Sequence, residues 1–474
     1  MKPPTRVLLL WPAALLTACS FAPRYHEPAV APAPEVYQES GDWQSAQPAD
    51  AQARGPWWQL FQDPQLDTLE EKIAVANQDL KAALARLEQA RAQTRIARAG
   101  EFPTITAGPT VTRSRTSRNG PDYNPKLPAV NNDWLAEADL NYEIDLWGRI
   151  RNGVRAAHAG EQASAADAAT LELALHAELA TDYFQLRNLD AQVALLERTV
   201  VAYTRALDLT QHLYDGGAAP ISDLLQAQAQ LEGAKTQQAD IQLRRAQMQH
   251  GIAVLVGESA STFRLEAQPL PADAQPPVFD TGLPSTLVQR RPDVAAAERR
   301  VAQANYGIGV ARAAYFPVFS LTAAAGFESL QSSNWFSAPS RLWAVGPSAV
   351  LTVFDAGLHR AQTAQAKAVY DEQAADYRGV VLGAFQDVED NLVALHELQN
   401  ESQSEAAAVA ATEGALEQAN DRYQGGLVTY LEVVTAETAA LQAQLSAADI
   451  QQRRLGASIA LIKALGGGWQ RPQG

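Results

Sequence analysis

From Trp134 to Leu146 the chain switches chemistry at every residue. Trp134, Ala136, Ala138, Leu140, Tyr142, Ile144 and Leu146 alternate with Leu135, Glu137, Asp139, Asn141, Glu143 and Asp145. Side chains of a β-strand point to opposite faces in turn, so one face is apolar and the other almost wholly acidic or polar. A soluble sheet can share this pattern, with its polar face in water. A run of about 13 residues nevertheless exceeds the usual strand and suits a tilted membrane crossing of 9–11 residues with some overhang. Phe319, Leu321, Ala323, Ala325 and Phe327, set against Ser320, Thr322 and Ala324, repeat the alternation. Residues 103–113 and 342–354 complete four predicted strands, and Gly, Pro, Asn and Ser in 117–132 and 331–340 predict exposed loops. Four strands cannot close a membrane barrel, because an open edge in lipid leaves backbone groups unpaired. Several chains must then share one barrel: two would give eight strands, three would give twelve and room for a channel. Under threefold symmetry Glu137, Asp139, Glu143 and Asp145 would each become a ring of carboxylates lining the lumen, and such rings favour cations.

The chain is written twice, offset by about 210 residues. Arg98-Ala99-Gly100-Glu101-Phe102-Pro103 returns as Arg312-Ala313-Ala314-Tyr315-Phe316-Pro317, and Tyr214-Asp215-Gly216-Gly217 as Tyr423-Gln424-Gly425-Gly426. Two copies are too few for a solenoid, which favours a duplicated domain. Each copy reads as helix, two strands, very long helix, Gly-Gly turn and long helix. A helix is predicted from Asp63-Pro64 to about Ala99. The first very long one spans about Gly148 to Leu213, with a stripe of Leu171, Leu175, Leu179, Tyr183, Leu186, Leu189, Val193, Leu196, Val200, Tyr203 and Leu207 at coiled-coil spacing. At 1.5 Å per residue it would be roughly 100 Å long. Val388, Leu392, Leu395 and Leu398 repeat the stripe. The Gly-Gly pairs are expected to reverse the chain where a Cβ would clash, and both turns to lie at the same tip.

The N-terminus carries an export signal. Lys2 and Arg6 precede a short apolar run, Val7 to Ala14, and Leu16-Thr17-Ala18 leads to Cys19, the single cysteine of 474 residues. The pattern resembles a bacterial lipobox, which implies cleavage before Cys19, an S-diacylglycerol group and an N-linked acyl chain, typically palmitate. Several acyl chains give lasting attachment to a membrane. Ser20, rather than aspartate, follows Cys19 and favours the outer membrane. With Cys19 modified no thiol is left for disulfides or thiolate metal sites. Pro23, Pro28, Pro32, Pro34 and Pro48 make the next segment an extended arm. The net charge of −15 argues against nucleic acid as a partner. No phosphate loop or metal-binding motif occurs, and His26, His158, His176, His212, His250, His359 and His396 are scattered. We therefore expect no enzyme, cofactor or metal.

Several long stretches resemble the outer membrane factor family of TolC-like efflux proteins, in its NodT/OprM-like lipoprotein branch. They include Phe21-Ala22-Pro23-Arg24-Tyr25, Trp57-Trp58-Gln59-Leu60-Phe61-Gln62-Asp63-Pro64, Tyr142-Glu143-Ile144-Asp145-Leu146-Trp147-Gly148-Arg149 and Gln289-Arg290-Arg291-Pro292-Asp293-Val294. The resemblance implies a mainly α fold with a membrane β-barrel. Three chains would give four strands each to a shared twelve-stranded barrel, continued by a long periplasmic α-helical barrel. It implies a passive outer membrane duct of a tripartite system that exports drugs or other toxic small molecules, working with a periplasmic adaptor and an inner-membrane pump. A polypeptide-secretion duct and a coiled-coil spacer without a pore are the alternatives. The corresponding domains are signal 1–18, lipidated arm 19–56, first repeat 57–265, linker 266–283, second repeat 284–466 and tail 467–474. Matched residue by residue, Asp223 and Tyr423 fall on a pair that closes the periplasmic gate of the resembled family, and Glu432 on the first of its two acidic rings. The second ring falls on Thr435, and Val428 replaces a further gate arginine. The Arg290-Arg291-Pro292-Asp293 segment opens a helix and reads as a structural cap.

Overall fold

The computed structural model describes residues 20–30, 37–38, 56–121, 123–271, 273–277 and 290–468. The signal, Cys19, most of the arm, Gln289, part of the linker and the end of the tail lie outside the described residues. The elements are α1 (Pro64–Ala76), α2 (Gln78–Ala99), β1 (Thr104–Arg115), β2 (Val130–Ile144), α3 (Arg149–Asp215), α4 (Ile221–Leu255), α5 (Pro292–Ala313), β3 (Val318–Ser329), β4 (Arg341–Val350), α6 (Leu358–Gln424) and α7 (Tyr430–Ala464). The duplication is visible in their lengths: α3 and α6 each have 67 residues, α4 and α7 each 35. No described helix is long and apolar enough to cross a membrane.

The helix predicted from Asp63 to Ala99 is broken once. Asp63 starts α1, accepting from the amides of Gln65 and Leu66 at 3.0 and 3.2 Å. Asn77 then leaves helical geometry (φ −61°, ψ 129°). Its side-chain oxygen accepts from the Leu80 amide at 2.9 Å, and its amide group donates to the Leu255 carbonyl at 2.8 Å. One buried asparagine thus ends α1, starts α2 and ties both to α4.

Two compact units cut across the duplication. The described residues of the first are 20–29, Arg86–Ser164 and Ala296–Arg378; the second holds those of Val30–Ala85, Ala165–Ala295 and Gly379–Gly474. In the first, the four strands form one antiparallel sheet of order β1-β2-β3-β4. Its helical core is built largely of alanine, with Ala159, Ala163, Ala297 and Ala302 buried. Such small side chains allow close approach. The start of the arm lies on α5. The Phe21 ring stacks on Phe316 at 4.3 Å, the Pro23 carbonyl accepts from Asn305 at 2.9 Å, and the Tyr25 hydroxyl donates to Glu298 at 2.6 Å. Gly309 makes this possible, since a Cβ there would stand 2.7 Å from that of Ala22.

In the second unit the predicted stripe is the core. Leu179, Tyr183, Leu186 and Leu196 have no exposed surface, and Val388 and Leu392 repeat this on α6. A polar network closes one side of that core. Arg187 donates to Asp190 (3.0 Å), the Glu266 carbonyl (2.9 Å) and Gln65, while Arg245 reaches Asp190 at 2.5 Å. Nearby, His176 Nδ1 lies 2.6 Å from the fully buried Glu70 carboxyl. Burial pushes Glu70 up to about 9, with the charge of Asp67 adding to the effect, and pushes His176 down to about 4.

A second buried carboxyl sits on α7. Glu437 is 8 % exposed, and its Oε2 has no hydrogen-bond partner. Its titratable neighbours are Tyr203 on α3 and Tyr430 on α7. Burial pushes Glu437 from 4.5 up to about 7. The folded state therefore holds this proton more tightly than the unfolded chain. The stability so gained is complete below about pH 4.5 and is lost as pH rises through about 7. Glu437→Gln should consequently raise the melting temperature at pH 8 and change it little at pH 5, a difference on the order of 3 kcal/mol per chain at most. Circular-dichroism melts of both proteins in detergent across that range check this; an equal shift at both pH values would contradict it.

Candidate functional site

Register carries the two-faced pattern of β2 across the whole sheet. Asp139 lies opposite Thr106 of β1 and Ala324 of β3, and Ala324 opposite Ala344 of β4. Asn141 is flanked in the same way by Thr104, Thr322 and, beyond it, Gly346. This face is mostly small and polar, with Leu135, Val318, Leu342 and Val350 as its apolar members. The other face carries Ile105, Val111, Leu140, Leu321, Trp343 and Val345; Trp343 is 77 % exposed and Ile105 67 %. Aromatic clusters mark both ends of the β2–β3 pair. Trp134 meets Trp335 at 5.3 Å at one end, and Trp147 meets Phe316 at 5.0 Å at the other.

Of the four predicted lumen acids, Glu137, Asp139 and Glu143 share the polar face. Asp145 does not. The strand ends at Ile144 because the chain turns there into α3, and Asp145 receives the Arg151 amide at 2.9 Å and its guanidinium at 3.1 Å. Glu143 is bound at both oxygens by Arg149, at 2.9 and 2.6 Å. Among the described residues Glu137 and Asp139 have no such cation, so the structure separates four carboxylates into two pairs. Sequence reasoning passed over Arg149 and Arg151. Their signal was position: the first turn of α3 holds arginines and no acid, the wrong charge for the positive end of a helix.

The Gly-Gly turns have one architecture. Gly217 donates to the Tyr214 carbonyl at 2.9 Å and Ala218 to Leu213 at 2.7 Å; Gly426 donates to Tyr423 at 2.9 Å and Leu427 to Arg422 at 2.9 Å. Both turns are Schellman closures. The expected clash is not the reason for glycine, because a Cβ at Gly217 or Gly426 would meet no atom within 4 Å. The requirement is backbone: φ is 74° and 69°, while Gly216 and Gly425 keep negative φ.

Residues of both turns line one cavity of about 420 Å³, including Pro220, Asp223, Tyr423 and Val428. Asp223 lies in the first turn of α4 and is 8 % exposed. The Tyr423 hydroxyl is buried with no hydrogen-bond partner; its neighbour Thr210 donates instead to the Ala206 carbonyl at 2.8 Å. Burial chiefly, then the charge of Asp223, raises Tyr423 above the usual tyrosine range, with Thr210 acting the other way. The structure thus brings Asp223 and Tyr423 to one cavity without a direct bond. Glu432 is elsewhere on the tip, solvent-exposed and 3.2 Å from Arg422, a cation the sequence reading did not single out. Arg291 has a structural role. It grips Asp293 at 2.7 Å, Asp387 at 2.9 Å and the Ala464 carbonyl at 3.2 Å, joining α5, α6 and the end of α7.

Known proteins agree with this architecture. The family model for outer membrane efflux proteins matches residues 69–258 and 283–467. The toluene efflux pump outer membrane protein TtgC of Pseudomonas putida is 32 % identical over 465 residues, covering 98 % of this chain and 95 % of that protein. The solved outer-membrane channel OprN aligns with a TM-score of 0.86 at 29 % identity, over 96 % of this chain and all of that one. The CmeC outer membrane channel of Campylobacter jejuni aligns with a TM-score of 0.88 at 25 % identity, over 96 % of both chains. The chain belongs to the outer membrane efflux protein family.

Proposed function

We propose that this protein is the passive exit duct of a tripartite efflux system. Three copies share a twelve-stranded barrel in the outer membrane, and their long helices continue the passage into the periplasm. There it meets a periplasmic adaptor and an inner-membrane pump that supplies the energy. One observation carries the reading: a four-stranded sheet, apolar on one face and mostly small and polar on the other, whose outer strands β1 and β4 each pair on one side only among the described residues. Trp134 to Ile144 spans roughly 34 Å along a strand. At a tilt of about 40° that is about 26 Å of height, close to the apolar band of outer membrane barrels. The aromatic clusters at the two ends suit the two interfaces. Small toxic molecules are the proposed cargo, in keeping with the toluene-pump relative. No step of such passage needs a catalytic residue or a cofactor.

Cys19 is proposed as the lipid anchor, joined to the body by the arm that α5 receives. The intact mass of the mature N-terminus should show a diacylglyceryl and acyl-modified Cys19. An unmodified cysteine, or cleavage elsewhere, would sink this part of the reading.

The cavity between the Gly-Gly turns is the proposed gate. Tyr423 has a hydroxyl proton to give and Asp223 a carboxylate to receive it. A hydrogen bond to a charged acceptor is worth roughly 1.5–3 kcal/mol. Formed on assembly of the trimer and repeated in three chains, such bonds would hold a constriction shut yet break when an adaptor docks. Glu432, exposed and paired with Arg422 at 3.2 Å, is proposed as an acidic ring at the entrance whose charge that cation partly offsets. Cross-linking of detergent-extracted protein should stop at three chains, and planar bilayers should show single channels. Tyr423→Phe with Asp223→Ala should raise their conductance, and Glu432→Gln should weaken cation preference. A trimer without conductance would instead indicate a spacer, and unchanged conductance in the double variant would place the closing contacts elsewhere.

A further inference from the structure

At the base of β2 the structure holds a charge arrangement that an acid-lined pore does not call for. Glu143 and Arg149 form a two-bonded pair, and their side chains are 26 % and 45 % exposed. They sit on the wall of an open hollow of about 480 Å³ that also includes Thr104, Asn141 and Ser320 of the polar sheet face. One position beyond the strand, Asp145 is held by Arg151 through three hydrogen bonds of 2.9 to 3.1 Å. The arginines gain nothing from the helix they begin. Cations at a helix N-terminus face the positive end of its dipole, so their placement is explained by the carboxylates they meet.

We propose that Arg149 is a selectivity-determining residue of the channel: it cancels the Glu143 carboxylate at the strand–helix junction, so that the acids farther along the same face, Glu137 and Asp139 together with Asp133 and Glu328, set the charge preference of the barrel. This rests on the reading of the polar sheet face as the wall of a pore. Distance keeps the two levels independent. Asp139 and Glu143 are four residues apart, roughly 14 Å along the strand, whereas fixed charges are screened over about 8 Å at physiological salt. Arg149 therefore neutralises its own level and leaves that of Asp139 intact. An ion on the axis meets three neutral pairs at the junction and a net acidic zone farther into the barrel. The Arg151–Asp145 pair extends the neutral level beyond the end of the strand. Because Asp145 also receives the Arg151 amide, that pair is the less suitable one to perturb.

Reversal potentials in a potassium chloride gradient test the assignment. Glu137→Gln with Asp139→Asn should reduce the cation preference of the wild-type channel. Arg149→Gln should increase it by exposing Glu143, and Arg149→Lys should leave it unchanged. The variant carrying both Glu143→Gln and Arg149→Gln removes both charges while leaving hydrogen-bonding side chains at both positions, so its selectivity should match that of wild type. That second variant decides the matter if Arg149→Gln alone does not assemble. A drop in cation preference in the double variant, or an unchanged preference in Arg149→Gln, overturns the role of Arg149. If the Glu137 and Asp139 variant also leaves selectivity unchanged, the sheet face does not line the pore, and the broader reading fails with it.

Discussion

A strand edge presents amide and carbonyl groups that need partners, and hydrocarbon offers none. Everything distinctive about the first unit follows from that demand. The sheet satisfies its inner strands and leaves one side of β1 and one side of β4 open. Its apolar face, with Trp343 and Val345 turned outward, gains nothing from water and suits lipid. The polar face cannot sit in lipid at all. A sheet with these two faces and two such edges is stable in a membrane only as part of a closed ring, with identical copies supplying the missing strands. Oligomerisation is then a condition of the proposed fold and not an addition to it.

The helical unit meets a different difficulty. Helices of 67 residues cannot be held by propensity alone and depend on a buried stripe. The stripe from Leu175 to Leu196 supplies apolar burial on one side. The linker after α4 is fixed to it by polar contacts: Arg187 takes the Glu266 carbonyl, and Asp190 takes the Gln268 amide at 2.9 Å. Removing one member of such a network would strand the others without partners, and that asymmetry holds the linker in place.

Periodicity made the large elements legible. The heptad stripe located α3, the repeat offset located its counterpart α6, and alternation located β2 and β3 within a few residues. What stayed hidden depends on single side chains acting at a distance in sequence. Asn77 breaks α1 from α2, a break that its capping chemistry announced and an unbroken apolar pattern concealed. Asp145 read as a continuation of the β2 alternation, although its carboxylate serves the helix that follows. Glu437 had no sequence signal, because its burial depends on which helices surround it. At the turns glycine was expected for the right place and the wrong reason: the backbone angle, rather than crowding, demands it.

Comparing the copies separates backbone demands from charge. Asp355 stands 210 residues after Asp145 and does the same work at the start of α6, receiving the amides of Gly357 and His359 at 2.8 and 2.9 Å. Both Gly-Gly turns keep the same closing bonds. The acids that follow them, Asp223 and Glu432, occupy equivalent first-turn positions where a negative charge favours the helix start. Their surroundings differ: Asp223 is buried in the cavity with Tyr423, while Glu432 lies in solvent beside Arg422. Likewise Arg149 and Glu143 correspond to His359 and Val353, so the second copy lacks the carboxylate that Arg149 meets, and His359 Nε2 lies instead 3.7 Å from Asp355. Duplication thus retained what the backbone requires for turning from strand to helix and from helix to helix. The charges riding on those turns were free to diverge. It is at these diverged positions that the proposed selective wall and the proposed closing contact lie.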